Sequence, residues 1–139
     1  MKITPFHLAI PVINLPMMKA FYTSHFNCDL GRSASKWVDL NFYGHQLVLH
    51  QVDELEKKAG ANQVDGKIVR VPHFGVVLDW AQWESLATKL REKNTDFIVD
   101  PYIRFLGQVG EQATMFLEDP EGNALEFKAF RNPDQLFAS

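Results

Sequence analysis

The sequence has little cysteine and no concentration of positive charge. Cys28 is the single cysteine among 139 residues, which excludes an internal disulfide and any zinc site built from several cysteines. Lysine and arginine are scattered and the formal net charge is −3, so the basic surface that nucleic acid or an anionic membrane requires is missing. No apolar run approaches the roughly 20 residues that span a bilayer, and no signal-peptide pattern precedes the first apolar segment. We therefore expect a cytoplasmic protein that binds neither nucleic acid nor membrane.

What the sequence does contain is enough apolar material for one ordinary core. Hydrophobic residues make up 46% of the chain and charged residues 22%, the balance of a globular protein. A short apolar segment with an early histidine occurs twice, at 6–12 and at 72–78. We interpret residues 1–139 as one domain that contains two related modules, 1–65 and 66–139.

Periodicity predicts the same order of elements in both modules. Asn14 is expected to cap a helix that runs to about residue 27, and Gly31 is expected to mark a break after it. Asp79 and Gln82 are expected to form a capping box for a second helix that reaches about residue 93. Each helix has an apolar stripe at helical spacing: Leu15, Met18, Tyr22 and Phe26 in the first, and Trp83, Leu86, Ala87 and Leu90 in the second. Residues 52–69 are polar and suit an exposed connector between the modules. The result is an α+β fold of two β-α-β-β-β modules. Strands are expected at 3–12, 36–43, 46–51, 72–78, 96–103, 112–118 and 123–130.

Three side chains in these strands form a candidate metal site. His7 and His73 occupy equivalent places in the two modules, on the strand face opposite the bulky residues. Glu126 lies inside an apolar strand, where a carboxylate is costly unless it is paired, solvated or bound to metal. Two imidazoles and one carboxylate are typical of non-haem Fe²⁺, although Mn²⁺, Ni²⁺, Co²⁺ or Zn²⁺ also suit them.

These residues and the segment from Asp119 to Phe127 (DPEGNALEF) resemble the vicinal oxygen chelate superfamily, which includes glyoxalases, bleomycin-resistance proteins and extradiol dioxygenases. Phe21-Tyr22 in the first helix adds to the likeness, which covers nearly the whole chain. The resemblance implies paired modules that form a curved mixed sheet around a metal cavity. It also implies a homodimer and a small-molecule substrate that chelates the metal through adjacent oxygens.

The repeat itself favours one branch of that family. When Gly44 is aligned with Gly122, Val48 takes the place of Glu126. Four-ligand glyoxalases supply a ligand from both modules at this point, so a valine indicates three ligands and a dioxygenase-like site. A register shifted by two residues would instead offer Gln46 or His50 as a fourth ligand.

Further residues are candidates for catalysis and substrate binding. His45 and His50 suit proton transfer near pH 7, with a structural hydrogen bond as the alternative. Glu111 is a candidate base, with a solvated loop carboxylate as the alternative. The expected substrate pocket contains Gln46, Val48, Tyr102, Arg104, Gln112 and Lys128.

Other functions remain open at this point. Extradiol enzymes have a tyrosine before the closing turn and a histidine in the preceding loop, both missing here, which weakens the case for ring cleavage. A glyoxalase-like lyase or isomerase and a metal-free ligand-sequestering protein are the alternatives. Metal-dependent thiol transfer ranks lower.

Overall fold

The computed structural model describes residues 2–57 and 60–139. Its contacts divide the chain into two compact units, Met1–Lys58 and Ala59–Ser139. Residues 60–65, which the sequence interpretation assigned to the first module, thus belong to the second unit. The single domain over 1–139 and its boundary after residue 65 stay predictions.

Unit 1 is one four-stranded sheet with a helix. The elements are β1 (His7–Val12), α1 (Leu15–Phe26), β2 (Asp29–Ala34), β3 (Trp37–Phe42) and β4 (His45–Gln51). The strand order is β1-β4-β3-β2, with β1 parallel to β4 and the other neighbours antiparallel.

Helix α1 confirms the predicted cap and apolar stripe. The side chain of Asn14 accepts a hydrogen bond from the backbone N–H of Met17, which satisfies a donor that the first helical turn leaves free. Its buried stripe is the predicted one: Leu15, Met18, Tyr22 and Phe26.

Unit 2 repeats this arrangement and adds a hairpin. The elements are β5 (Ala61–Val64), β6 (Lys67–Arg70), β7 (Val77–Leu78), α2 (Trp80–Glu92), β8 (Phe97–Arg104), β9 (Gln112–Glu118), β10 (Ala124–Phe130) and a 3-10 turn (Pro133–Gln135). The main sheet has the order β7-β10-β9-β8, and β5 pairs with β6 as a separate two-stranded sheet.

Helix α2 is fixed at its start and along its buried face. Asp79 and Gln82 form the predicted reciprocal capping box. Trp83 packs inward and donates its indole N–H to the Phe127 carbonyl at 2.9 Å, so the helix is tied directly to β10. Across residues 2–57 and 60–139, no helix is long and apolar enough to cross a membrane.

The α+β class and the β-α-β-β-β order of both modules are confirmed, but three local expectations are wrong. Within the expected connector 52–69, residues from 61 onward form a β-hairpin with residue 70 rather than an irregular connector, and residues 58–59 lie outside the described residues. Asp65 and Gly66 both have positive φ, the geometry of a tight two-residue hairpin turn. Gly31 lies inside β2 rather than at a break, and residues 72–78 form a strand only at Val77–Leu78, with an isolated bridge at Phe74.

The strand registers confirm the alignment of the two modules. Leu8 pairs with Leu47 in unit 1, and Phe74 pairs with Leu125 in unit 2. These pairs are the ones that alignment of Gly44 with Gly122 requires. Val48 is therefore the structural counterpart of Glu126.

Candidate metal centre

Glu126 is held in place by neighbours within unit 2. The Thr114 hydroxyl donates to its Oε2 at 2.5 Å, and the Lys128 Nζ lies 3.8 Å from its Oε1. The side chain is only 12% exposed. A carboxylate that is bound on one oxygen and largely desolvated keeps its other oxygen in a fixed place.

The turn that precedes β10 determines where Glu126 lies. Asp119 is buried, and its Oδ1 accepts from the backbone N–H groups of Glu121 and Asn123 at 2.9 and 3.0 Å. Its Oδ2 accepts from the Asn123 side chain at 2.8 Å. The residues DPEGN before the strand therefore form a turn that is closed by hydrogen bonds to the Asp119 side chain.

His73 presents one ring nitrogen to Glu126. Its Nδ1 lies 2.6 Å from the Arg70 carbonyl oxygen, which only accepts, so Nδ1 carries a proton and donates it. Its Nε2 lies 3.3 Å from Glu126 Oε1. The edge-to-face contact with Phe116, with ring centroids 4.9 Å apart, fixes the ring plane.

In the neutral form of His73, this geometry places two acceptors against each other. With Nδ1 protonated, Nε2 carries a lone pair that faces a carboxylate oxygen, an arrangement that calls for a cation between them. A second proton on His73 or a metal ion supplies that charge. Metal–donor bonds of about 2.1 Å at right angles place neighbouring donors about 3 Å apart, so the separation of this pair suits a shared ion.

His7 lies in unit 1, at the position that strand register makes equivalent to His73. It is exposed, and its Nδ1 is 2.7 Å from Gln46 Oε1. Over residues 2–57 and 60–139, no three His, Cys, Asp or Glu side chains are close enough together to hold a metal ion. The structure thus brings His73 and Glu126 together, while the participation of His7 stays a prediction.

Gly75 leaves room for this pair because it has no side chain. A Cβ built at Gly75 would lie 1.6 Å from the backbone oxygen of Glu126. The backbone on either side bonds to the same strand, since the Glu126 N–H donates to the Phe74 carbonyl at 2.8 Å. The segment that follows His73 can therefore approach β10 only with glycine at position 75.

A small pocket adjoins Glu126 under the β5–β6 hairpin. Asp65 at the hairpin turn accepts from Tyr102 at 2.9 Å and from Arg104 Nε at 2.5 Å. The Lys67 ammonium lies 4.1 Å from the centre of the Tyr102 ring. The pocket is lined by Val64, Lys67, Val69, Val99, Tyr102, Arg104, Thr114, Phe116 and Glu126.

These contacts shift the pKa values of Tyr102 and Asp65 in opposite directions. Burial and the hydrogen bond to Asp65 raise the pKa of Tyr102 to about 12, so the phenol stays protonated. The hydrogen bonds from Arg104 and Tyr102 lower the pKa of Asp65 below its ordinary 3.8.

Asp65→Asn is expected to remove an acid-dependent transition of the hairpin. Because the pKa of Asp65 is lowered in the folded state, its contacts are fully present above 3.8 and are lost as the pH falls through the folded value. Backbone amide shifts of Asp65 and Gly66, followed by NMR during acid titration, should show a midpoint below 3.8. Asp100→Asn, which changes an exposed carboxylate in β8, should leave this midpoint unchanged. A midpoint at or above 3.8 in the unsubstituted protein would contradict the assignment.

A larger groove occupies the other end of the same sheet. Its volume is about 370 Å³. Arg104, Gln112 and Lys128 line it, as do apolar side chains of the 104–111 loop and of the C-terminal segment. Arg104, Gln112 and Lys128, three of the six residues predicted for the substrate pocket, therefore line one groove. Tyr102, a fourth, lines the smaller pocket together with Arg104.

The remaining candidate residues have other surroundings. His45 Nδ1 accepts the backbone N–H of Phe6 at 2.8 Å, a contact that favours the structural alternative for this histidine. His50 is exposed beside Trp37, and Val48 is 4% exposed. Their catalytic and substrate-binding roles stay predictions.

Glu111 is engaged in a salt bridge. It accepts from the Gly107 N–H at 2.9 Å and from Arg131 Nε at 3.1 Å. These contacts lower its pKa, which makes the carboxylate a weaker base. The geometry favours a structural role for it.

Several residues that shape this centre were not expected from the sequence. Thr114 and Phe116 share the phase of Glu126 across β9 and β10, a pattern that could have indicated them. The Asp65-Gly66 pair is a recognised hairpin signal. The Arg70 carbonyl, by contrast, carries no side-chain signal at all.

Comparison with known families agrees with this architecture. A sequence model of the Glyoxalase/Bleomycin resistance protein/Dioxygenase superfamily matches residues 4–127. The chain belongs to this superfamily, which is the family that its residues resemble. Comparison with curated protein sequences finds no match.

Several solved structures share the fold of this chain. A glyoxalase/bleomycin resistance protein/dioxygenase from Alicyclobacillus acidocaldarius is 30% identical, with 96% of each chain covered and a TM-score of 0.78. The fosfomycin resistance protein FosX from Listeria monocytogenes is 16% identical, with 97% of this chain and 98% of that chain covered and a TM-score of 0.70. A variant of FosX, 15% identical over the whole of both chains with a TM-score of 0.70, is complexed with Mn(II) and 1S,2S-dihydroxypropylphosphonic acid.

Proposed function

We propose that the chain is a metal-dependent enzyme in which His73, Glu126 and His7 bind one divalent ion. The observation that carries this proposal is the 3.3 Å approach of His73 Nε2 to Glu126 Oε1, with Nδ1 already donating to the Arg70 carbonyl. In a protein that sequesters its ligand without metal, only a second proton on His73 would reconcile these two acceptors, whereas a divalent ion binds both of them at once. Bound there, the ion would act as a Lewis acid toward adjacent oxygens of a substrate.

The residues around this pair suit an anionic substrate. Lys67 lines the pocket beside Glu126, and Lys128 lines the larger groove while its Nζ lies 3.8 Å from Glu126. Arg104 is already neutralised by Asp65. Lys67 can therefore bind a carboxylate, phenolate or phosphonate group. Lys128 is paired with Glu126 in this structure and would become available to the same group when that carboxylate binds a metal.

Three protein ligands leave open positions for a chelating substrate and O₂, so a dioxygenase with Fe²⁺ is our first candidate reaction. The experiment is to identify the metal in protein purified without added metal, then to assay it. About one Fe²⁺ per chain and O₂ uptake with a catechol-like substrate is the expected result. Ni²⁺ or Zn²⁺ with hemithioacetal turnover would replace the dioxygenase with a lyase or isomerase. Failure to bind any divalent ion would contradict metal dependence.

The second candidate is metal-dependent conversion of a small phosphonate or similar organic anion. It is favoured by the cationic residues near Glu126, and a variant of FosX that shares the fold is complexed with Mn(II) and 1S,2S-dihydroxypropylphosphonic acid. Protection of sensitive cells against fosfomycin, abolished by Glu126→Ala, is the result expected under this candidate. Full sensitivity with the unsubstituted protein expressed would exclude fosfomycin as its substrate.

A further inference from the structure

In unit 1, His7, Gln46 and Asp39 form a chain of hydrogen bonds. The carboxylate of Asp39 determines which atom donates and which accepts in each of them. The Asp39 carboxylate only accepts, and Gln46 Nε2 donates to its Oδ2 at 3.1 Å. The other end of the Gln46 amide is then an oxygen, and it faces His7 Nδ1 at 2.7 Å. That oxygen can only accept, so Nδ1 of His7 must carry the proton. In the neutral imidazole, Nε2 is consequently the nitrogen with the lone pair.

Unit 2 reaches the same tautomer of His73 by other means. The strand registers place Ala124 where unit 1 has Gln46, and Phe116 where it has Asp39. Alanine offers no hydrogen-bonding side chain, and the Arg70 carbonyl accepts from Nδ1 in its place. Phe116 still contacts the histidine, through its ring edge. The positions equivalent to 39 and 116 thus orient the histidine in both units, with polar groups in one and an aromatic ring in the other.

We propose that Asp39 and Gln46 form a relay that fixes the tautomer of His7. Gln46 is then a positioning residue, not a fourth ligand or a substrate contact, because its oxygen is committed to His7. A histidine whose second nitrogen is held by such a partner is an oriented and more basic metal ligand. The tautomer stands on the contacts of unit 1 alone, and only its consequence for metal affinity rests on the proposed function.

The first test measures the tautomer directly in metal-free protein. Long-range ¹H–¹⁵N NMR at about pH 8.5, roughly two units above an ordinary histidine pKa, should show His7 protonated at Nδ1. Gln46→Leu removes the acceptor and should move His7 toward the Nε2-protonated form. Asp39→Asn lets the amide turn either way and should give a mixture of both forms.

Matched substitutions and an internal reference keep this result specific. Gln51→Leu changes the exposed glutamine that ends the same strand, and Asp29→Asn changes an exposed carboxylate in β2. Neither should change the tautomer of His7, and His73 should keep its form in all four variants. Gln46 is exposed, so Gln46→Leu tests the relay even if Asp39→Asn unfolds. Nε2 protonation of His7 in the unsubstituted protein, or an unchanged tautomer in either relay variant that folds, overturns the relay.

The second test separates this inference from the proposed function. If His7 is a ligand, Gln46→Leu should weaken binding of the metal identified in the purified protein by about 10-fold to 100-fold, the usual effect of losing the partner of a ligating histidine. A shifted tautomer in protein that binds no metal would support the relay and refute the metal site. Metal binding with an unshifted tautomer would refute the relay and leave the metal site standing.

Discussion

Glu126→Ala is expected to reduce the metal content of the purified protein from about one ion per chain to none. The carboxylate is the only anionic group of the proposed triad, and its Oε1 faces the free nitrogen of His73 at 3.3 Å. Loss of a partner that merely orients a ligand costs about 10-fold to 100-fold in metal affinity, and loss of the anionic ligand itself should exceed this. Elemental analysis and titration of the apoprotein measure both quantities. His73→Ala should have the same effect.

The control substitution is Glu84→Ala, which removes an exposed carboxylate from helix α2. It should retain full metal content. Because Glu126→Ala also leaves the Thr114 hydroxyl without its acceptor, Glu126→Gln is needed as a second variant that keeps an oxygen there. Stoichiometric metal in both Glu126→Gln and His73→Ala would refute the proposed ligands.

Gly75→Ala is expected to cost about 3 kcal/mol or more of unfolding free energy, as overpacking against a fixed backbone does. The added Cβ would lie 1.6 Å from the Glu126 carbonyl oxygen, an atom that cannot rotate away. The segment that carries His73 would have to separate from β10, so metal binding should fall together with stability. A thermal melt should show a decrease of about 10 °C in Tm.

Gly60→Ala is the matched control. Nothing lies within 4 Å of a Cβ built at Gly60, so the same chemical change there should alter Tm by no more than about 2 °C. Equal melting temperatures for the two variants would show that the close approach of residue 75 to β10 does not occur.

The elements that the sequence predicted well are those whose signals are local. The apolar stripe and cap of α1, with Asn14 at its start, needed only residues within four positions of one another. Strand β2 gave no such signal, because all six of its residues are exposed and its pairing with β3 shifts register between Leu30 and Ser33. An edge strand of this kind has no buried face to produce alternation.

In the candidate site, too, only the residues with local signals could be predicted from the sequence. Phase alone placed Glu126 on the face opposite Leu125 and Phe127, and those two neighbours are buried. The partner of His73 was beyond prediction, because it is the backbone carbonyl of Arg70 and any residue type would supply one. Gln46 was predicted near the site, but its direction toward His7 depends on the register of β1 against β4.

Because of Arg70, the β5–β6 hairpin should tolerate an insertion at its turn but not at the end of β6. Its carbonyl accepts from His73, while its guanidinium donates to the Gly122 carbonyl at 2.6 Å and pairs with Glu118 at 3.0 Å. An insertion between Arg70 and His73 would withdraw that carbonyl from the imidazole, whereas a longer turn at Asp65-Gly66 would leave all three contacts intact. The tip of the hairpin is therefore where loop grafting can diversify the pocket wall, and the three residues after Arg70 are where the length of the chain must be conserved.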